Sequence, residues 1–396
     1  MISLADAQAH ILDAVGVLAP RATSLADAAG LVLATDVVAG EPVPPFANTG
    51  MDGYAVRAAD TPGRLHVVGE LPAGRAPTVA VGPGEAIRIM TGAPMPPGAD
   101  AVVMVERTRA DGDHVDVEVA QLGEHVRRAG GDVQAGDVVF TRGTVLTPAH
   151  VGVLASLDVQ EVACHPRPRV VVVSTGDELV ERGSLAPGRI RDSNRPMLLA
   201  LLAQIGCEPI DGGIVGDDEA AITAAVEHAA AAGDALLTSG AVSVGDYDFV
   251  KLVLEQVAEA RGGTSLWAQV AIKPAKPLAF AMLGPVPAFG LPGNPVSSRV
   301  SFELFARPAL RKLAGRADVM PEPVTAVAAG AFRRQPDGKL HLDRVRVRVD
   351  DGRYVCERAG VQASNVLSGM AAANGLALIA DGDGVDAGAE VPVLLL

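Results

Sequence analysis

Arg169-Val-Val-Val-Val-Ser174 is an unbroken β-branched run that ends in the polar loop Thr175-Gly-Asp-Glu178. Continuous rather than alternating apolar character predicts a strand covered on both faces, as in a parallel sheet flanked by helices. The text that follows alternates accordingly. A helix is expected over 196–205 with Ser193 or Asn194 as cap, then an extended segment over 209–215 and an Ala-rich helix over 219–232 capped by Asp217 or Asp218. An extended segment over 235–238, a helix over 249–260, strands near 269–272, 278–282 and 288–291, and a closing helix over 296–313 complete the pattern. Such alternation implies a doubly wound α/β domain.

Outward from this centre the pattern changes on both sides. Upstream, Ser3 is placed to cap a helix bearing Leu4, Ala7, Ile11 and Leu12, and Ser24 a short helix ending near Gly30. The segment Glu41 to Gly50 is too proline-rich for either regular state and reads as a linker or extended arm. Short β-branched runs at 65–68, 86–90, 101–105 and 115–119, separated by Gly and Pro, predict a small all-β module. A helical stretch over 148–157 returns the chain to its first segment, so the β module reads as an insertion. Downstream of Pro321 the text is β again, with alternating apolar and basic residues over 340–349. The expected architecture is therefore multidomain α/β plus β. It has a central doubly wound α/β domain (169–318), an N-terminal mixed segment (1–45 with 132–168), an inserted β module (46–131) and a C-terminal β-barrel-like module (319–396).

Composition narrows the function. With 396 residues, 49% hydrophobic and 20% charged, the chain has length for several buried cores. A net charge of −14 argues against a nucleic-acid binder, whose affinity comes from dense Lys and Arg. Cys164, Cys207 and Cys356 show no CxxC or Cys/His spacing, so neither a zinc site nor a disulfide framework is expected, and a reducing cytoplasm fits best. No secretion signal is visible at Met1-Ile-Ser-Leu-Ala-Asp6. The uncharged stretch between Lys276 and Arg299 resembles a membrane span but is broken by Pro277, Pro285, Pro287, Pro292 and Pro295, so strand, turn and strand are expected and no membrane contact.

In an open parallel sheet the loops that follow strands open at one rim, where ligands bind. Asp192-Ser-Asn194, Thr238-Ser-Gly240, Lys273-Pro-Ala-Lys276 and Leu291-Pro-Gly-Asn-Pro295 are such loops and read as one site. Asp177 or Glu178 could hold Mg²⁺ or accept a proton, with a helix cap as the alternative; Asp217-Asp218 carries the same two readings. The small, hydroxyl-rich stretch from Ser239 and Gly240 through Ser243 to Asp246 suits close approach of a phosphate to backbone N–H groups. Lys273 and Lys276, held on a stiff Pro-rich backbone, suit a divalent oxyanion, against the alternative of two surface lysines on a turn. Pro292 and Pro295 stiffen the turn before Ser297, which could cap a helix or donate to an anion. Met51-Asp-Gly-Tyr54 and Met90-Thr-Gly-Ala-Pro94 are tight turns, and nothing local makes Asp52 or Thr91 catalytic. No Ser-His-Asp or Cys-His nucleophile is assignable.

Taken in order, these segments resemble the molybdopterin molybdenumtransferase (MoeA) family, related to the gephyrin E domain. The resemblance runs nearly end to end, through Asn48-Thr-Gly-Met-Asp-Gly-Tyr-Ala-Val56, Ile89-Met-Thr-Gly-Ala-Pro94, Ala101-Val-Val-Met-Val-Glu106, Arg127-Arg-Ala-Gly-Gly-Asp-Val133, Ser174-Thr-Gly-Asp-Glu-Leu179, Asp192-Ser-Asn194, Ser239-Gly-Ala-Val-Ser-Val-Gly-Asp246, Ile272-Lys-Pro-Ala-Lys-Pro277 and Leu291-Pro-Gly-Asn-Pro-Val-Ser297. It implies molybdenum cofactor biosynthesis: molybdenum from molybdate is placed on adenylylated molybdopterin, a divalent metal (Mg²⁺) assists, and AMP leaves. It also implies a cytoplasmic homodimer with the active site at the interface, and contact with the molybdopterin adenylyltransferase.

Carried over by residue, the resemblance implies that Asp52, Thr91 and Asp132 act from the partner-supplied half of the site. Glu178, Asp217 and Asp248 match acidic positions of the α/β domain, with Glu178 and Asp217 as metal candidates. Lys273, Lys276 and Ser297 match the oxyanion-binding set, shaped by Pro292 and Pro295, and Arg344 and Ser364 match contributions of the C-terminal module. Three departures stand out: Ala241 and Ala275 in place of usual glycines, and Gly131 where an acidic or polar residue often precedes Asp132. A non-catalytic pterin-binding scaffold on the same fold, and a nucleotide hydrolase sharing only the α/β domain, are the competing readings.

Overall fold

The computed structural model describes residues 1–240 and 249–396. The chain forms two compact units, one made of Met1–Arg21, Gly30–Ala34 and Cys164–Leu396, the other of Ala22–Ala29 and Thr35–Ala163.

In the first unit, the valine run becomes the strand Arg169–Thr175, second in a six-stranded sheet ordered Glu208–Val215, Arg169–Thr175, Ala235–Ser239, Val286–Leu291, Pro277–Leu283, Ser265–Gln269. The first four strands are mutually parallel and the last two pairings are antiparallel. Alternate residues of one strand feed two separate cores: Val170 and Val172 pack with Leu237 and Phe289, while Val171 and Val173 pack with Leu236 and Ala288. Both faces are buried, which is why the run is apolar without alternation. The helices Asn194–Gln204, Glu219–Ala232 and Phe249–Ala260 connect the strands, and Asp218 caps the second by accepting the Ala221 N–H at 2.8 Å. The fold class is as expected.

Two local expectations change. The extended segment near 269–272 divides: Ser265–Gln269 stays in the α/β sheet, whereas Ile272–Lys273 pairs parallel with Leu340 and His341 of the C-terminal sheet. Alternation along the text cannot say which sheet a short run joins. The closing helix is continuous from Pro295 to Leu313 but holds a π turn at Phe302–Ala306 between the α-helical spans Pro295–Ser301 and Arg307–Leu313.

The C-terminal β text closes into a five-stranded barrel. Leu340–Asp350 pairs with Arg353–Arg358, which pairs with Val324–Ala328, then Glu390–Leu395, then Gly375–Ile379 and back to Leu340–Asp350. Val345 and Val347 point into its core beside Cys356, Ile379 and Val393. Arg344 breaks the expected alternation, for its side chain is fully buried.

The second unit is built on a six-stranded sheet, a half-barrel, ordered Ala101–Met104, Gly53–Val56, Glu85–Ile89, Gly63–Leu71, His114–Val117, Thr108–Asp111. Tyr54 and Val56 belong to one small core and Ala55 to another, so this sheet too is covered on both faces. The proline-rich arm is extended: Asn48–Thr49 pairs with Val126–Arg127, and Val43 bridges to Val133. Among the described residues no helix is long and apolar enough to cross a membrane; the uncharged stretch after Lys276 is the hairpin Pro277–Leu283, Val286–Leu291 and the helix that follows.

Candidate functional site

Three of the four expected loops meet in the first unit around a cavity of about 710 Å³, at the C-terminal rim of the parallel strands. Its lining includes Ser174, Thr175 and Glu178 after the first strand, Asp192, Ser193 and Asn194 before the first helix, Ser239 and Gly240, and Pro292, Gly293, Asn294, Pro295 and Ser297; Pro277 and Asn365 complete it.

Asn194 ties these loops together. Its Nδ2 donates to Ser239 Oγ and to the Gly293 carbonyl, each at 2.8 Å. The loops also press together without side chains. Gly240 has φ +123°, and a Cβ there would lie 2.2 Å from the Thr175 carbonyl oxygen, so only glycine fits. Gly176, at φ +147°, leaves room for Glu178 to fold back over it: a Cβ would meet Glu178 Oε2 at 2.4 Å. Ser174 Oγ, Thr175 Oγ1 and Asn194 Oδ1 are buried and have no hydrogen-bond partner among the described residues. Buried polar atoms are otherwise nearly always paired, so these three mark the cavity floor as a place for a polar ligand.

The loop carrying Asn194 is anchored from behind by Arg195. Its Nε donates to Asp192 Oδ2 at 3.1 Å and an Nη to Glu181 Oε1 at 3.0 Å, and a third donor reaches Asp211. Burial opposes the charge, but hydrogen bonds to Glu181, Asp211 and Asp192 outweigh it and hold this guanidinium above the ordinary arginine range.

The remaining expected residues lie elsewhere. Lys273 and Lys276 are exposed and do not line the cavity, though Pro277 next to Lys276 does. Their turn is stiff: the Lys276 carbonyl accepts the Val270 N–H at 2.7 Å, and Ala275 between them is buried at φ +69°, a left-handed conformation that glycine adopts more easily than alanine. Asp217 is exposed and outside the cavity lining; it and Asp177 each accept the other's backbone N–H at 3.2 Å, clasping two strand ends together. Ser243 and Asp248, like Ala241, lie outside the described residues.

In the second unit, Asp52 Oδ1 accepts both the Thr91 N–H and the Thr91 hydroxyl at 2.7 Å. The Thr91 backbone bond first, then its hydroxyl, hold the Asp52 carboxyl below the usual range. Asp132 is exposed on another loop, where its N–H donates to the Val43 carbonyl at 3.0 Å.

Arg344 is not among the residues lining this cavity. Its guanidinium donates to the carbonyls of Val366 and Val361, and its N–H donates to Gln362 Oε1 at 2.8 Å. It thereby shapes the barrel loop in which Ser364 accepts the Val296 N–H at 3.1 Å and Asn365 lines the cavity. Arg344 thus holds the loop beside the cavity; Asn194 belongs to an expected loop without having been singled out in it, and Arg195 behind the cavity and Asn365 in its lining were not among the expected residues. The triplet Asp192-Ser-Asn194 carried the signal for the first; nothing local marks Asn365.

Among the described residues no group of three or more His, Cys, Asp or Glu side chains is placed to cage a metal. Mg²⁺ needs no such cage when one or two carboxylates share it with substrate phosphates and water. Glu178 at the cavity and the exposed Asp177 and Asp217 are hard oxygen donors, so the residues fit a cation carried largely by substrate.

Comparison with known proteins agrees with this architecture part by part. Residues 2–157 match the model of the MoeA N-terminal region (domain I and II), 171–312 that of a probable molybdopterin binding domain, and 326–396 that of the MoeA C-terminal region (domain IV). Crystal structures of the molybdopterin biosynthesis MoeA protein from Pyrococcus horikoshii superpose with TM-scores of 0.83 and 0.81 at 28% and 29% identity; both alignments cover all of this chain, with 99% and 100% of theirs. Molybdopterin molybdenumtransferase 2 of Mycobacterium tuberculosis is 40% identical over 387 residues, 95% of each chain, and the molybdopterin molybdenumtransferase of Haemophilus influenzae is 39% identical over 89% of this chain and 87% of its own. With identity at this level across both units, the cavity loops and the barrel, the chain belongs to the molybdopterin molybdenumtransferase (MoeA) family.

Proposed function

We propose that this chain acts in molybdenum cofactor biosynthesis, inserting molybdenum from molybdate into adenylylated molybdopterin with release of AMP. The observation that carries the reading is the cavity of about 710 Å³ whose floor presents Ser174 Oγ, Thr175 Oγ1 and Asn194 Oδ1 to a ligand. Its volume lies in the range of small-molecule sites.

The substrate is strongly anionic and so is molybdate, so the protein must offset repulsion while keeping the reacting groups in register. Ser239, Gly240 and Ser297 line the cavity beside the rigid Pro292 and Pro295 turn and supply the polar contacts for the pterin and its phosphate. Lys273 and Lys276, fixed on a stiff turn, draw in the oxyanion, and Ser243, in the sequence stretch that begins at Ser239 and Gly240, belongs with the phosphate-binding residues. Glu178, Asp217 and Asp248 form the acidic side. Mg²⁺ held by Glu178 and Asp217 would polarise the phosphate. On cleavage, water adds to one phosphorus of the adenylyl linkage as the bridging oxygen leaves with the other. The two pterin thiols then pass their protons to one molybdate oxygen, which departs as water as the sulfur–molybdenum bonds form. The working assembly is a homodimer in which Asp52, Thr91 and Asp132 serve the site of the partner copy, and Arg344 and Ser364 act through the barrel loop.

The test is direct. Purified protein given adenylylated molybdopterin, molybdate and Mg²⁺ should release AMP and yield molybdenum-loaded pterin. No AMP, under conditions that support a related enzyme, refutes the proposal. Lys276→Ala should raise the molybdate concentration for half-maximal rate by about tenfold, equivalent to one charge-assisted contact; an unchanged molybdate dependence contradicts its role.

A further inference from the structure

A second cavity, of about 390 Å³, lies in the first unit away from the residues described above, and its lining includes Arg299, Arg307, Arg311 and Arg316. So dense a cationic cluster is notable in a chain of net charge −14. Two carboxylates partner it. Buried Glu303 is shared by Arg299 at 2.8 Å and Arg307 at 2.7 Å, and Asp318 by Arg311 and by Arg316 at 2.9 Å. Four guanidiniums against the two side-chain carboxylates and the main-chain carboxylate of Leu396, which also lines the cavity, leave a local excess of one positive charge (4 − 3).

The helix is shaped to keep that excess together. Arg299, Glu303, Arg307 and Arg311 recur at every fourth residue. In a regular α-helix each step of four overshoots a full turn by about 40°, so three steps would spread the row over about 120° of the cylinder. The π turn at Phe302–Ala306 underwinds the middle of the row and brings Arg307 and Arg311 back towards the line of Arg299. The Nε atoms of Arg299, Arg307 and Arg311 are buried and have no partner among the described residues. Burial first, with neighbouring guanidiniums adding to it, holds Arg299 and Arg311 below the ordinary arginine range. Like charges so placed gain from an anion that bridges them.

We propose that this arginine pocket is a binding site for a tetrahedral dianion of the phosphate class, separate from the cavity at the rim of the sheet. Guanidinium donors suit such a ligand because their planar fork matches its oxygens in pairs. Leu201, buried and also in the lining, gives the site an apolar wall on one side.

The test uses the whole protein and inorganic phosphate as titrant, followed by calorimetry at about 0.15 M ionic strength. The unaltered chain should show saturable binding, and Arg316→Gln, at a partly exposed side chain, should weaken it by about tenfold through loss of one charged donor. Arg311→Gln should do the same, which guards against a folding fault in either variant, and Arg64→Gln, at an exposed arginine of the second unit, should bind phosphate as before. Absence of saturable binding overturns the proposal, as does an Arg316→Gln protein that binds as tightly as the unaltered chain. A changed oligomeric state in Arg316→Gln with phosphate binding intact assigns the arginines to a subunit contact and also overturns it. Glycerol 3-phosphate separates the sources: equal affinity identifies a phosphate ester, and much weaker affinity the free ion, the site standing in both cases. None of these readouts depends on molybdenum transfer, so the proposal and the assigned reaction fail separately.

Discussion

Asn194 offers the sharpest test of how the cavity is held. Its amide donates to Ser239 Oγ and to the Gly293 carbonyl, each at 2.8 Å. The Ser239 hydroxyl is buried, whereas Gly293 is exposed, so the two bonds carry unequal weight. Asn194→Ala strips a partner from the buried hydroxyl and leaves the exposed carbonyl to water, a loss of about 2 kcal/mol in all. If half of that falls on substrate binding, KM for adenylylated molybdopterin rises roughly five- to tenfold. Asn194→Asp separates packing from charge. A carboxylate can accept from the Ser239 hydroxyl where the amide donates to it, so the buried hydroxyl keeps a partner while the Gly293 carbonyl loses its donor as in the alanine variant, yet it places a negative charge beside an anionic substrate. At about 6 Å and an effective dielectric near 20 that repulsion is about 2–3 kcal/mol, roughly a hundredfold in KM. Denaturant unfolding gives the stability change and initial rates of AMP release give KM. Equal KM values for the two variants would refute the reasoning, since substrate charge would then not be felt at this wall.

Three further outcomes follow from described geometry. Gly240→Ala, at φ +123° with a backbone oxygen 2.2 Å from the new Cβ, should destabilise by about 2–4 kcal/mol, seen as a lower denaturation midpoint; an unshifted midpoint rejects the close approach. Arg344→Lys replaces a fork that reaches Val361 and Val366 with a single ammonium; a loss of about 2–3 kcal/mol and faster proteolysis within 361–366 are expected, and unchanged protection of that loop counts against its positioning role. Because the folded state depresses the Asp52 carboxyl, its contribution is present above the unfolded carboxylate range and disappears as pH falls through the lower folded value. The stability gap between the unaltered protein and Asp52→Asn should therefore be constant from neutral pH down to about pH 5 and close below about pH 4; a gap that widens on acidification contradicts the Thr91 hydrogen bonds.

Much of the architecture was legible because it rests on local rules. The valines of Arg169–Thr175 feed two cores, Asp218 caps its helix, and the helix expected over 148–157 forms at Pro148–Ser156. The loops at Ser174, Ser239 and Pro292 could be grouped because parallel strands end on one side. What stayed hidden depends on pairing over long separations. No local pattern shows that Ile272–Lys273 leaves the α/β sheet for the barrel, or that a buried Arg344 shapes the loop carrying Asn365. The π turn is equally silent, since Phe302–Ala306 holds no Gly or Pro to mark a departure from the α-helix. Motif reading chose the lysines and Asp217, whereas burial chooses Asn194 and Arg195. Charged groups advertise chemistry, while an amide that clamps two loops is recognisable only once both loops are in place.

The barrel is a wall rather than an appendage. It contributes Asn365 to the cavity, fastens the first turn of the closing helix through Ser364, and takes Ile272–Lys273 as an edge pairing to Leu340 and His341. A shortened chain ending near residue 318 would keep every strand of the α/β sheet and still lose one side of its cleft, along with the edge partner that steadies the lysine turn. The cavity as described therefore cannot be transplanted with the α/β layer alone, because Asn365 and the Ser364 contact come only with the C-terminal strands.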